Sequence, residues 1–439
     1  MSFSPSALFA TLRELPDVSG YCVALSGGLD STVLLHALAM LRESLSVPLS
    51  ALHIDHGIHA DSARWGEHCQ RLCDELSVPL QRVRVELGCQ RADGLEGTAR
   101  KARYRAFEEA LGEGAMLLSA HHRDDQAETL LLQLLRGGGV HGMAGMPRWR
   151  PLGRGLLARP LLEVSRAELL AYANAHGLHW IDDPSNRDTR LERNFLRHEL
   201  LPLLAQRRAG VSKVLARSAS HFAENAQLLD ELAEADLAQC QMAQGLSIPS
   251  LQGLSEPRQR NLLRYWLRRL GLPLPDHRRL QAVFADLIPA AADAMPQVSW
   301  PGAELRRYRD TLYAMPPLVP PPSSDWQQAW DGRGELVLPH GLGHYRCLPA
   351  TSGLRAEALQ QGTLTIRLRR GGERLQLPGQ THHQALKKLL QQADIPPWQR
   401  ERLPLLYIGD SLAQVAGLWT DAAFAVGEGQ SGHMLTRVG

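Results

Sequence analysis

A chain of 439 residues with 48 Lys and Arg against 46 Asp and Glu holds two to four domains of nearly balanced charge, which excludes a small single-core module. Hydrophobic residues at 44% and charged residues at 21% leave no compositional support for a disordered, collagen-like or coiled-coil protein. No apolar run approaches the ~18 residues of a membrane span, and Met1-Ser2-Phe3-Ser4-Pro5 lacks a charged segment followed by an apolar one, so a cytoplasmic protein without a membrane partner is expected.

The first half alternates strand and helix signals. Tyr21 to Leu25 is a short apolar run, Ser31 to Arg42 is helical, Leu49 to Ile54 is a second strand and Asp61 to Leu76 a second helix. Val83 to Val85 alternates as a strand, Glu96 to Leu111 is an amphipathic helix, and Met116 to Ser119 is a strand leading into a helix near Asp125 to Leu135. This spacing predicts an α/β fold, a doubly wound parallel sheet. After about Pro202 the strand signals vanish, and Val211 to Leu287 reads as helix-rich. Pro316 to Ser324 is a stiff extended spacer. Beyond Trp326 short β-like segments return, with a helix at His383 to Ala393, which makes a small mixed α+β domain. The expected division is 1–215 for the catalytic domain, 216–318 for a helical domain and 323–439 for the C-terminal domain.

Leu25-Ser26-Gly27-Gly28-Leu29-Asp30-Ser31-Thr32 lies directly between a strand and a helix. The glycines allow close backbone approach, the helix start offers free N–H groups and a positive dipole end, and Ser26 and Ser31 add hydroxyls, so phosphate is the expected guest. The string is neither a Walker A loop nor a dinucleotide fingerprint. Asp30 inside a phosphate cradle is repulsive unless a cation intervenes, and Mg²⁺ bridging Asp30 to phosphate is the simplest account. The full string resembles the pyrophosphatase-loop family of ATP users. That resemblance implies ATP as co-substrate, with AMP and pyrophosphate as products, and Ser26, Gly27, Gly28, Leu29, Asp30 and Ser31 as its binding residues.

Three histidines, His53, His56 and His59, follow on the second strand, but that spacing alternates faces and no Cys or carboxylate completes a zinc site nearby. Adenine contact near Ile54, at a strand end beside the loop, is the better expectation. Arg100 and Arg103 stand one helical turn apart. Their string, Glu96-Gly97-Thr98-Ala99-Arg100-Lys101-Ala102-Arg103-Tyr104, is similar to an element of the tRNA(Ile)-lysidine synthases, where the arginines are thought to serve ATP phosphates or the tRNA.

Ser119 to Thr129 places two histidines, two aspartates and a glutamate at a strand-to-helix junction, with Asp125 and Glu128 in or beside the first helical turn. The pattern His121, His122, Asp125, Glu128 and Thr129 resembles that same family, whose acids are associated with the amino-acid substrate. Asp30, His122, Asp125 and Glu128 are accordingly the expected catalytic residues. Freeing a lysine amine of its proton at pH 7 costs about 4.6 kcal/mol, so one acid is expected to position the side chain and the other to take the proton.

From Asn186 to Arg217 eight Lys or Arg face three acids, a local basic stretch suited to phosphate contacts. Arg367 to Lys388 is a second. The C-terminal strings Arg369 to Leu375, His383 to Leu390, Ile395 to Arg400 and Leu403 to Tyr407 resemble the long, bacterial lysidine synthases. The resemblance implies a ligase that adenylates the wobble cytidine of an isoleucine tRNA with a CAU anticodon and then attaches L-lysine, changing decoding from AUG to AUA. A tRNA thiolase of the same ATP-loop family, or a non-catalytic tRNA-binding protein, remains open at this point. A monomer and a homodimer are equally compatible with the sequence. The six cysteines, among them Cys69 and Cys73, form no C-x-x-C pair and read as free thiols.

Overall fold

A computed structural model describes residues 3–55, 57, 62–85, 94–291, 294–360, 362–427 and 430–438. His56, His59 and Cys89 lie outside the described residues, as does the side chain of Glu96. The chain divides into two compact units, residues 1–232 and 233–439. No described helix is long and apolar enough to cross a membrane.

The first unit runs α1 (Pro5–Leu12), β1 (Tyr21–Ala24), α2 (Leu29–Met40), β2 (Leu49–Asp55), α3 (Ser62–Glu75), β3 (Leu80–Arg84), α4 (Gly94–Ala110), β4 (Met116–Leu118), α5 (Arg123–Leu135), α6 (Val140–Met143), β5 (Trp149–Leu152), β6 (Gly155–Ala158) and α7 (Arg166–Ala175). Its six-stranded sheet has the order β3-β2-β1-β4-β6-β5. The expected parallel sheet is present: β1, β2, β3, β4 and β6 pair in parallel, while β5 joins the edge antiparallel to β6. The hairpin β5–β6 is absent from the sequence reading because Arg150, Pro151, Gly153 and Arg154 interrupt its apolar pattern.

Strand residues alternate between two faces. Met116 and Leu118 join a core with Val33, Leu34 and Leu38 of α2, Cys69 and Cys73 of α3 and Leu169 and Tyr172 of α7. Leu117 points the other way, into a core with Leu52, Leu157 and Phe107 of α4. Helices on both faces leave only the strand ends open. The chain steps outward from β1 to β2 and β3, then returns to β4 on the other side of β1. Such a reversal opens a crevice at the carboxyl ends of the two strands, and the two most specific motifs in the sequence follow β1 and β4.

Beyond α7 come α8 (Glu192–Phe195), a π-helical turn at Leu196–Leu200, α9 (Leu201–Arg207) and α10 (Val211–Cys240). The second unit contains helices Glu256–Arg269 and His277–Ala282, as the sequence implies, together with a five-stranded antiparallel sheet from Gln241–Met242, Gly245–Ser247, Thr311–Met315, Ala303–Tyr308 and Gln297–Trp300. Those strands are short, and buried charges such as Glu304 and Arg307 break their alternation, so strands are present after Pro202 where the sequence pattern shows none. Pro317 to Ser323 carries neither helix nor strand. The C-terminal region is a five-stranded antiparallel sheet and a three-stranded one. The helix expected from His383 begins at Leu386, because Gln384 and Ala385 pair as a strand with Arg374 and Leu375.

Candidate active site

The phosphate loop occupies the turn between β1 and α2. Gly27 has φ of +83°, and a Cβ there would stand 2.6 Å from Ile181 Cδ1, so this position accepts no side chain without strain. The Gly27 carbonyl accepts the Ile181 N–H at 2.8 Å, which lays the Trp180–Asp183 segment over the loop. Gly28 precedes the first turn of α2. Ser31 Oγ accepts the Ser26 N–H at 3.2 Å and donates to the Gly28 carbonyl at 3.1 Å, and Ser26 Oγ accepts the Gly28 N–H at 3.3 Å. Hydroxyls and backbone amides are thereby gathered at one helix N-terminus, the arrangement an anion needs.

A cleft of about 770 Å³ opens at this edge. Ser26, Gly28, Leu29, Asp30, Ser31, Ile54, Arg103 and Asp125 line it, whereas Gly27, Arg100, His122 and Glu128 do not. Ile54 stands at the end of β2, where adenine contact is expected. Arg100 is exposed, its guanidinium 5.4 Å from the Tyr104 ring centroid. His53 is buried, with Nδ1 2.8 Å from the Leu25 carbonyl and 3.5 Å from Cys69 Sγ.

Asp30 has one oxygen in company and one alone. Oδ2 is 3.6 Å from His122 Nε2, and Oδ1 is buried without a hydrogen-bond partner. A buried carboxylate oxygen left unpaired is costly, so this atom fits a cation ligand. No group of three His, Cys, Asp or Glu among the described residues could hold a metal ion alone. One carboxylate plus phosphate oxygens and water is the donor set that suits Mg²⁺.

The junction after β4 is built differently. His122 caps α5, its N–H donating to Asp125 Oδ2 at 3.0 Å. Its imidazole is 1% exposed and stands 3.5 Å from Asp125 Oδ2 and 3.7 Å from Asp124 Oδ2. Burial opposes charge on this ring, but Asp30, Asp125 and Asp124 prevail and hold its pKa above the usual histidine value. Neighbouring His121, bonded to Ser119 at 2.6 Å, is instead driven down to about 3, chiefly by burial, and stays neutral.

Two arginines that sequence reasoning placed in a phosphate-binding stretch are engaged here. Arg193 on α8 donates Nε to Glu128 Oε2 at 2.7 Å and Nη2 to Asp125 Oδ1 at 2.9 Å. Arg197, one turn on, donates Nε to Glu128 Oε1 at 2.6 Å and Nη2 to both acids at 2.9 Å. Glu128 is fully buried with both oxygens taken. Burial raises the Asp125 carboxyl pKa, but His122 and Arg193 outweigh it and bring it down to about 2. The spacing permits this pairing without announcing it: acids at i and i+3 can meet arginines at i and i+4 on a facing helix, as a phosphate could. Arg187 pairs with Asp182 and Arg190 with Asp188, so four of the eight basic groups in that stretch are neutralised at home.

Comparison with known proteins completes the picture. Residues 7–204 match the PP-loop domain, residues 246–313 the TilS substrate binding domain and residues 364–436 the TilS substrate C-terminal domain. The tRNA(Ile)-lysidine synthase of Alkalilimnicola ehrlichii is 45% identical over 426 residues, covering 97% of this chain and 96% of its own. That of Coxiella burnetii is 43% identical over 415 residues, covering 94% and 92%, and that of Pseudomonas aeruginosa 44% identical over 433, covering 94% and 93%.

Proposed function

The chain belongs to the tRNA(Ile)-lysidine synthase family, and from that premise we propose how its residues divide the work of an ATP-dependent ligase. The ring carbonyl oxygen of the wobble cytidine in an isoleucine tRNA with a CAU anticodon attacks the α-phosphate of ATP, and pyrophosphate leaves. The ε-amine of L-lysine then forms the new carbon–nitrogen bond, the carbon–oxygen bond breaks, and AMP departs, leaving lysidine and a codon preference moved from AUG to AUA. A base in an anticodon loop is already unpaired and can be splayed into a cleft.

Ser26, Gly27, Gly28, Leu29 and Ser31 cradle the phosphates, Ile54 borders the adenine, and Arg103 reaches the cleft from α4 with Arg100 outside it. Asp30 would hold Mg²⁺, which supplies neutralisation of the phosphate charge as pyrophosphate departs. The observation carrying this assignment is the unpartnered, buried Asp30 Oδ1 beside a helix N-terminus. Asp125 faces the cleft and, held ionised by its neighbours, recognises the lysine ammonium. An acid held down to about 2 is a weak base, and both oxygens of Glu128 are taken by arginines. Against the expected division of roles, Asp125 therefore recognises the ammonium and neither acid takes its proton, which passes to water before the amine attacks. Glu128 acts behind it as a positioning residue, fixing Arg193 and Arg197, and His122 ties Asp30 to Asp125.

The thiolase alternative finds no support in the pair Cys69 and Cys73. Cys69 and Cys73 are buried, and burial pushes their pKa up to about 12 and about 11, so both stay protonated and shut away from substrate. The three matched spans fall within the division 1–215, 216–318 and 323–439, which supports a catalytic domain followed by two tRNA-handling domains. Incubation with ATP, labelled lysine and total tRNA tests the proposal. Lysine-dependent AMP release with label in one isoleucine tRNA is expected; RNA binding without turnover, or incorporation of sulfur in place of lysine, would refute it.

A further inference from the structure

Beside the cleft, around Tyr104, lies a second concentration of positive charge, of which Tyr104 and Arg103 line the cleft itself. Tyr104 on α4 lines the cleft, and its ring lies between two guanidinium groups, Arg100 at 5.4 Å and Arg150 of β5 at 5.2 Å from the centroid. Its hydroxyl bonds Arg159, which directly follows β6. Arg159 is 4% exposed, gives Nη1 to the Pro147 carbonyl at 2.7 Å, and its Nε is buried without a partner. A buried guanidinium is ordinarily paired with a carboxylate. The groups acting most strongly on Arg159 are instead Tyr104, Arg150 and Arg100, with no acid among them. Burial opposes ionisation of the Tyr104 phenol, yet Arg100, Arg159 and Arg103 lower its pKa below the usual value, which also makes it a stronger hydrogen-bond donor.

Resting on the assignment of ATP to the loop after β1, we propose that Arg150, Arg159 and Tyr104, with Arg100 and Arg103, form an anion subsite for a phosphodiester of the RNA strand beside the reacting base. Placement separates it from the triphosphate. Arg159 follows β6, which is two strands from β1 in the sheet order, roughly 10 Å at ordinary strand spacing, and both strands end at the same edge. The loop after β1 has its own hydroxyls, amides and acid for the phosphates of ATP. Arg100 at this subsite is exposed, suiting a chain that enters from solvent, and an arginine fork suits a phosphodiester.

Three variants test the subsite, each first checked for an unchanged thermal unfolding midpoint: Arg150→Gln, Tyr104→Phe and Arg159→Lys. Binding of an isoleucine tRNA transcript is measured across a salt series, and binding of a non-hydrolysable ATP analogue with Mg²⁺ separately. Arg150→Gln and Tyr104→Phe should each weaken tRNA binding roughly tenfold, the loss of one charge-assisted hydrogen bond. Arg150→Gln should also lower the slope of log affinity against log salt by about 0.7, one single-strand phosphate contact, while Tyr104→Phe leaves the slope alone. Affinity for the ATP analogue should not change. Weakened nucleotide binding with unchanged tRNA binding would assign the arginines to the triphosphate and overturn the proposal. An unchanged salt slope in Arg150→Gln would make the cluster structural and overturn it equally. Lysine transfer by the unsubstituted enzyme is the control: its failure would refute the proposed reaction, whereas normal transfer with unaltered tRNA binding in the variants refutes the subsite alone. Should Arg159→Lys unfold, Arg150→Gln on the hairpin edge still decides the matter.

Discussion

The turns after β1 and after β4 are both strand-to-helix junctions at one edge of one sheet, yet they handle charge in opposite ways. At the first, Asp30 keeps a buried oxygen without a partner, and the surrounding donors are small hydroxyls and backbone amides. At the second, Asp125 and Glu128 are compensated in advance by Arg193 and Arg197. On the proposed assignment a nucleotide and a cation would complete the first junction; the second is a finished salt-bridge network whose outer acid, Asp125, lines the cleft. Similar local sequence, an acid in the first turn of a helix, therefore serves two ends, and distant arginines make the difference.

Asp30→Asn should cut deepest, because it removes the charge proposed to accept the cation: lysine transfer is expected to fall about a hundred- to a thousandfold with stability retained, in rate assays set beside thermal melts. Arg197→Met should act on the other junction through stability, leaving buried Glu128 undercompensated at a cost of about 3 kcal/mol in urea unfolding. Combining it with Glu128→Gln should recover much of that loss, which a purely steric effect would not allow. Acid should distinguish the junctions as well. The Asp125 carboxyl is held down to about 2 against an ordinary value near 3.9, so its contribution is complete above about pH 4 and fades as pH falls toward 2. The loss is on the order of 2 kcal/mol and should vanish from the unfolding profile of Asp125→Asn.

Gly27→Ala tests the closed side of the phosphate loop. A left-handed alanine costs about 1–2 kcal/mol and would press on Ile181, so ATP affinity should drop in a titration while tRNA binding holds. The smallest effect belongs to the thiols: Cys69→Ala and Cys73→Ala should leave the rate of lysine transfer unchanged. A collapse of activity without unfolding would return the cysteines to the mechanism.

What could be read from the sequence follows the range of the interactions involved. The cradle from Ser26 to Ser31 is local, a strand, a turn and a helix start within a dozen residues, and it was legible in full. The same holds for His122 to Glu128 as residues of one turn. The partners of those acids lie 65 to 72 positions away, and nothing local in Arg193-Asn194-Phe195-Leu196-Arg197 distinguishes a helix that answers an acid from one that meets a phosphate. Ile181 over Gly27 and Arg159 beside Tyr104 were hidden for the same reason. Strands of two to six residues between Gln241 and Met315 escaped because charged side chains such as Glu304 and Arg307 are buried in them, which erases the alternation that betrays a strand.

The most direct test of the account is the stoichiometry of a single turnover with α-labelled ATP, labelled lysine and an isoleucine tRNA carrying the CAU anticodon. One AMP and one pyrophosphate should be released for each lysine joined to the wobble nucleoside, with both products and the joined lysine lost together in Asp30→Asn. Release of ADP, or AMP formed without lysine reaching the tRNA, would contradict it.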